Sequence, residues 1–364
     1  MPTSPITNSV FTAGSLPALA IDSAAIRQQL DGLSRQIGNG RVADSYGGLA
    51  SHAATVSLTY NVALSQTETW QANVTAADGR MRSAQSALTQ ISDIASTFYA
   101  QSNVLNGLSS VAVDATAASA RDALRQMAGL LDTRFGDTYV FAGTDTATPP
   151  IPSPDAILTS GFYVGISSAV GLLSTSGATA TLATTLAGAA SNAVGLTPFS
   201  ASLSRPAATL GALRPVVQID TNRFLPTGIL ASANADVTST GTSTTGSYMR
   251  DIMRALATIG SLTSSQISDP GFATVVHDTQ ASLGDAIAAL NSDAGVLGNR
   301  QASMTATSQR LDDTRVALKS QISDAQDIDM ADALSRLTAV QTRLQASYRM
   351  LSMVQSMSLV NFLR

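Results

Sequence analysis

The chain has 364 residues, a formal net charge of −4 and no cysteine. The missing cysteine excludes disulfides, thiolate catalysis and cysteine metal sites, and the mild acidity gives no electrostatic reason to bind nucleic acid or an anionic membrane. Aromatic residues (5%) and charged residues (13%) are scarce beside an apolar fraction of 44%, a balance that suits long helices packed side by side better than a deep enzyme core.

Proline placement divides the chain. Three of the twelve prolines lie at or before Pro17 and nine between Pro149 and Pro270, so residues 18–148 and 271–364 contain none. Proline in a helix interior costs about 3 kcal/mol. Two long helical arms around a non-helical middle is the simplest architecture. The first 21 residues carry no charged side chain and are broken by Pro2, Pro5, Gly14 and Pro17. They lack the basic and continuous apolar regions of a cleaved secretory signal, and residues 1–17 are expected to lack order in the free chain.

A heptad stripe opens at Leu16 and runs through Leu19, Ser23, Ile26, Leu30, Leu33 and Ile37 to the stop signal Gly38-Asn39-Gly40. After a connecting loop, Arg41 to Gly48, comes the dominant pattern. From Leu49 to Phe98 an apolar stripe recurs in alternating steps of four and three, with Thr67 its one polar member and Gly79 its one interrupting glycine. That period is the seam of a helix packed lengthwise on another. At about 1.5 Å per residue the rod is roughly 75 Å long, so it needs partners of similar length. A third helix is expected from Asp114, as N-cap, to Arg134, followed by a strand at Tyr139-Val140-Phe141.

Between 142 and 247, short runs such as Phe162-Tyr163-Val164 and Val216-Val217-Gln218-Ile219 alternate with Gly, Ser, Thr and Pro clusters. This predicts a small β-rich insertion, with parts of 174–212 poorly ordered. Helix resumes from Tyr248 to Ile259 and breaks at Pro270-Gly271. Leu283, Leu290, Leu297, Met304, Leu311 and Leu318 then recur every seven residues, a seam that answers the first rod. Asp324, Asp327, Asp329 and Asp332 suggest a hinge or helix start. Beyond them the chain is apolar on two faces, with Leu337, Val340, Leu344, Tyr348 and Leu351 on one and Met350, Met353 and Met357 on the other. Such a helix must be buried in its own domain or by other subunits.

Four stretches together resemble a family. Leu33-Ser34-Arg35-Gln36-Ile37-Gly38-Asn39-Gly40-Arg41-Val42 is similar to the segment closing the first helix of bacterial flagellins and hook–filament junction proteins. Ser83 to Ile91 resembles their long-helix segment. Tyr139-Val140-Phe141-Ala142-Gly143-Thr144 looks like the exit segment of the junction proteins. Leu344-Gln345-Ala346-Ser347-Tyr348 with Ser358 to Leu363 resembles the shared C-terminal ending. Ala43 to Leu49 departs from the family's usual loop.

The resemblance covers roughly 1–145 and 248–364 and implies a mainly α fold: a long antiparallel helical rod, coiled-coil N- and C-terminal helices and a small β-rich inserted central domain. The expected division is 1–45 with 323–364 as an inner-tube domain, 46–140 with 248–322 as a helical rod, and 141–247 as a variable outer domain. It implies a structural subunit of the flagellum, a junction protein or alternatively a filament flagellin. Such a subunit is extracellular and exported by the flagellar type III apparatus with an export chaperone. Its partners would be its own copies in a helical tube, hook-associated proteins and flagellin, with neither membrane nor nucleic acid. Candidate subunit-interface residues are Leu16, Leu19, Ile26, Leu30, Leu33, Ile37, Leu337, Leu344, Tyr348, Leu351, Val354 and Leu359.

An enzyme is the rival class. His52 and His277 lie in helical surroundings without an acid–nucleophile pattern. Asp312-Asp313 and the acids at 324–332 have no His or Cys at ligand spacing. No phosphate loop, nucleophile elbow or HExxH occurs. No catalytic, metal or cofactor site is expected. An adhesin-like coiled-coil protein would share the Ser/Thr richness but would not need apolar helices at both ends.

Overall fold

The computed structural model describes residues 15–105, 107 and 109–362; the expectation for residues 1–17 falls largely outside them. The elements in order are α1 (Ser15–Asn39), α2 (Ser51–Leu105), α3 (Ser110–Leu131), β1 (Arg134–Phe135), β2 (Thr138–Tyr139), α4 (Gly161–Gly171) and α5 (Leu173–Ala190). There follow α6 (Ala207–Leu210), β3 (Val216–Asp220), β4 (Arg223–Pro226), α7 (Tyr248–Ser261), α8 (Phe272–Gln326) and α9 (Met330–Phe362). The fold is mainly α, with two small antiparallel hairpins, β1–β2 and β3–β4. The chain forms two compact units, Met1–Thr67 with Asp313–Arg364, and Glu68–Asp312.

Helices α2 and α8 are each 55 residues long. Many of their threonines donate to the carbonyl four residues back, as Thr55 does to Ser51, Thr75 to Gln71 and Thr89 to Gln85. This satisfies a hydroxyl inside a helix without a tertiary partner. It also explains the polar member of the first seam: Thr67 is buried, with its hydroxyl 2.8 Å from the Ala63 carbonyl oxygen.

Within Glu68–Asp312 the two long helices run antiparallel. Gln71 donates to Ser308 and Ser92 to Asn291, at 2.6 and 3.1 Å, while Gln280 donates to Asn103. The residue numbers fall on one helix as they rise on the other. The buried seam holds Val74, Ala77, Met81, Leu88, Ile91 and Ala95 on α2, with Leu283, Leu290, Leu297 and Met304 on α8. Gly79 receives the β1–β2 hairpin: a Cβ there would overlap the Phe135 ring.

Several local expectations change. Helix α3 starts at Ser110, so Asp114 lies inside it and its carboxylate accepts the Ser264 N–H at 2.8 Å instead of capping its own helix. The strand near 139 is the two-residue β2, paired with Arg134–Phe135. Phe162-Tyr163-Val164 is the first turn of α4, capped by Ser160, whose side chain accepts from the Tyr163 N–H. Much of 174–212 is ordered as α5, which buries Thr181, Thr185 and Ala189. The strand at 216–219 stands, as β3.

Within Glu68–Asp312 the parts of the arms and the insertion share one core. Every residue of α7 from Tyr248 to Gly260 is buried, and α7 packs against α3 of the first arm and against α4 and α5 of the insertion. Long side chains close the ends of these helices. Arg121 and Tyr163 both donate to the Gly260 carbonyl ending α7, at 2.6 and 3.1 Å, and Gln266 donates to the Val170 carbonyl ending α4 at 2.6 Å. Intrahelical N–H donors run out at a helix C-terminus, so a buried helix end draws on such side chains.

Candidate assembly interface

The candidate interface belongs to the first unit, where α1 and α9 pack lengthwise. Their chain links are zipped together at the base. Gly40, at φ +67°, ends α1 in the left-handed conformation that glycine adopts without penalty. Its carbonyl accepts the Ile328 N–H at 3.0 Å, and the Val42 N–H donates to the Gln326 carbonyl at 2.8 Å. Gln36 reaches back to the Val42 carbonyl at 2.6 Å. Asp329 starts α9 by accepting the N–H groups of Ala331 and Asp332 at 2.9 and 3.2 Å, which also suits the positive end of the helix dipole. The acidic run at 324–332 is thus a helix break and restart.

Above this base, the α1 stripe Ser23, Ile26, Leu30, Leu33 and Ile37 and the α9 stripe Ala333, Leu337, Val340, Leu344, Ser347 and Leu351 form the seam. Ser23, Ala333 and Val340 are buried; the others are half-buried. Seven of the expected interface residues, Ile26, Leu30, Leu33, Ile37, Leu337, Leu344 and Leu351, are therefore brought together within one chain. Tyr348 is not among them: it is 44% exposed, with the Arg27 guanidinium 5.5 Å from its ring centre. Ser347 holds the seam position beside it. The backbones of Leu16, Leu19, Val354 and Leu359 are helical, but their side chains lie outside the described residues. Ala333 and Ser347 were legible in the sequence: counting back and forward from Leu344 in steps of four and three reaches both.

A two-helix pair buries one stripe of each helix, and α9 carries more apolar surface than that. Leu334, Met350 and Met353 are exposed, as is Ile21 on α1. A groove of about 410 Å³ between the two helices is lined by Gly32, Leu33, Val340, Arg336 and Arg343 among others. Exposed apolar side chains on a helix pair favour burial by a further helix.

The residues weighed for chemistry lie at the surface. His52 and His277 are exposed, as are Asp312 and Asp313. Among the described residues no group of three His, Asp or Glu side chains is placed to hold a metal ion, and no helix is long and apolar enough to cross a membrane. Charge is concentrated instead on buried α7. Burial raises the Asp251 carboxyl, opposed by hydrogen bonds from Thr244 and Thr245, and lowers the Arg254 guanidinium against the charges of Asp251 and Asp278. Nearby, Asp293 on α8, 1% exposed, accepts the backbone N–H groups of Ala235 and Asp236 at 2.7 and 2.9 Å and the Tyr248 hydroxyl at 3.0 Å. Asp236 in turn bridges Arg214 and Arg300 at 3.1 and 2.7 Å. These groups tie the insertion to the rod. Nothing in the heptad pattern marked Asp293, because its partners lie 45 to 58 residues away in the sequence.

A comparison with curated protein sequences finds no match. Residues 281–363 match the family model of the bacterial flagellin C-terminal helical region, the stretch that runs from α8 through α9. Through that region, which spans under a quarter of the chain, the protein is similar to bacterial flagellins, and that likeness supports a structural role in the flagellum.

Proposed function

We propose that the protein is a structural subunit of the flagellum and forms the junction between hook and filament. One observation carries this reading: the segment Tyr139 to Thr144, which resembles the junction-protein exit. Its setting supports a specific role. Val140, Phe141 and Ala142 are buried, the Phe141 carbonyl accepts the Ala231 N–H at 3.1 Å, and a Cβ on Gly143 (φ +74°) would come within 2.7 Å of the Leu213 carbonyl oxygen. The six residues thus lead from the β1–β2 hairpin into the insertion along one packed path.

In this reading residues 1–45 and 323–364 line the inner tube, 46–140 and 248–322 form the rod around it, and 141–247 faces outward. The α1–α9 pair joins neighbouring copies through the apolar side chains that its own seam leaves exposed, among them Ile21, Leu334, Tyr348 and Met350, and the chain reaches its place through the flagellar type III apparatus with an export chaperone. The second reading, a filament flagellin, is favoured by the departure of Ala43 to Leu49 from the family's usual loop sequence; here the stretch holds a short 3-10 turn at Tyr46–Gly48. Stoichiometry separates the two, since a junction layer holds few subunits and a filament very many. Deleting the gene should leave hooks without filaments while flagellin escapes into the medium. If this chain is instead the dominant protein of sheared, purified filaments, the junction assignment fails.

A further inference from the structure

Arg250, on the first turn of α7, is 5% exposed, and no carboxylate among the described residues forms an ion pair with it. A guanidinium has five N–H donors. Here Nε donates to the Ser232 carbonyl at 3.1 Å, Nη1 to the carbonyls of Ala189 and Ser191 at 2.9 and 3.2 Å, and Nη2 to Asn192 Oδ1 at 2.7 Å. The Phe199 ring lies against it, with its centre 4.9 Å from the guanidinium carbon. Four donors are therefore taken, all by neutral acceptors, and one on Nη2 is left over. Burial pushes the group down to about 10, opposed by the charge of Asp251, whose carboxylate is itself engaged by Thr244 and Thr245 at 2.6 and 2.8 Å.

Arg250 lines a cavity of about 160 Å³ together with Asn192, Arg205, Ser232, Thr245 and Ser247, and no acidic residue lines it. That is roughly five times the volume per water molecule in the liquid. The exposed Arg205 stands at this cavity, and its guanidinium pairs with no acid among the described residues. Ser247 is the N-cap of the 14-residue α7, which adds the positive end of a helix dipole. In a chain of net charge −4, two arginines around a small, acid-free cavity are a local exception. A buried cation whose hydrogen-bond acceptors are all neutral, and whose nearest carboxylate, Asp251, is engaged by Thr244 and Thr245, retains an electrostatic demand for an anion.

We propose that this cavity binds a small oxyanion of phosphate or sulfate size, held by charge pairing with Arg250 and Arg205. The capping of α5 through the Ala189 and Ser191 carbonyls fixes the Arg250 fork in place, so the site is organised before the ligand arrives. The proposal is independent of whether the subunit sits in junction or filament.

Titration calorimetry on the intact protein, at constant ionic strength, tests it with inorganic phosphate, sulfate and acetate as probes, beside melting curves with and without phosphate. Phosphate or sulfate should bind and raise the melting temperature. Arg205→Gln, an exposed change, should leave the ligand-free melting temperature as it is and weaken binding about tenfold or more, as expected for loss of a charge-assisted contact. Arg250→Lys, if it folds, should weaken binding further by removing the fork. Absence of binding by all three probes, tighter binding of acetate than of either oxyanion, or an Arg205→Gln affinity equal to that of the unaltered protein would each overturn the proposal.

Discussion

Truncating Asp293 to alanine should be among the most damaging single changes in the unit Glu68–Asp312. The carboxylate is 1% exposed and accepts three hydrogen bonds, from two backbone N–H groups and the Tyr248 hydroxyl. Hydrogen bonds to a charged group are worth about 1.5–3 kcal/mol each in mutational series. The amides of Ala235 and Asp236 lie in partly exposed residues and can recover water, but the fully buried Tyr248 hydroxyl cannot. Removing the carboxylate also relieves its own desolvation. With these terms set against one another, Asp293→Ala should cost about 3–5 kcal/mol, a large share of the roughly 5–15 kcal/mol that holds a domain. Urea unfolding followed by circular dichroism would read this as a lower midpoint. In a thermal scan the fall would be on the order of 10 °C for a unit of this size. Tyr248→Phe, which deletes only the hydroxyl, should cost less, and the double variant should show coupling because the tyrosine hydroxyl has lost its acceptor. A loss below about 1 kcal/mol for Asp293→Ala would show that the insertion is not held to the rod through this residue, and the account of the shared core would be wrong at that point.

Replacing residues 146–245 by a flexible linker, which the heptads alone would tolerate, should unfold the rod rather than spare it. Arg250 would lose every acceptor described above and α7 its neighbours α4 and α5; a cooperative, native-like melt of that variant would refute the shared core. Leu344→Ser combined with Leu351→Ser should abolish incorporation into flagella while the melting of Glu68–Asp312 stays within a degree or two, since both residues lie in the other unit; loss of the main transition would make α9 an ordinary core element. Asp132 is raised to about 6 by burial, opposed by the Ile151 N–H. Its ionised form is therefore disfavoured in the fold, and stability is lost as pH rises from its ordinary value near 4 through about 6. Asp132→Asn should stabilise the protein at neutral pH with a gain that fades on acidification; melting curves across that range would show an unchanged difference if the assignment is wrong.

Periodicity and proline placement determine much of this protein before any coordinate is known. The long helices α2 and α8, the pairing of their seams and the helical ends all follow from apolar residues at steps of four and three in proline-free arms, because a helix that long must bury a stripe at that period. The break at 324–332 and the hairpin strand at Val216 were equally local, set by capping acids and by a β-branched run. What the tertiary structure alone decided begins where the local signal carries no period. Phe162-Tyr163-Val164 is too short to distinguish a buried strand from a helix turn, and the packing of α4 against α7 selects the helix. The Ala- and Thr-rich stretch that becomes α5 has no strong apolar face of its own, and burial under its neighbours orders it. Tyr348 and Ser347 are adjacent candidates for one seam position, and the fit to α1 seats the small residue and leaves the large one outside with Arg27. The roles of Asp293 and Arg250 could not be read from spacing at all. A buried charge is tolerated only where its partners converge, and here they converge from segments that the chain brings together only after folding.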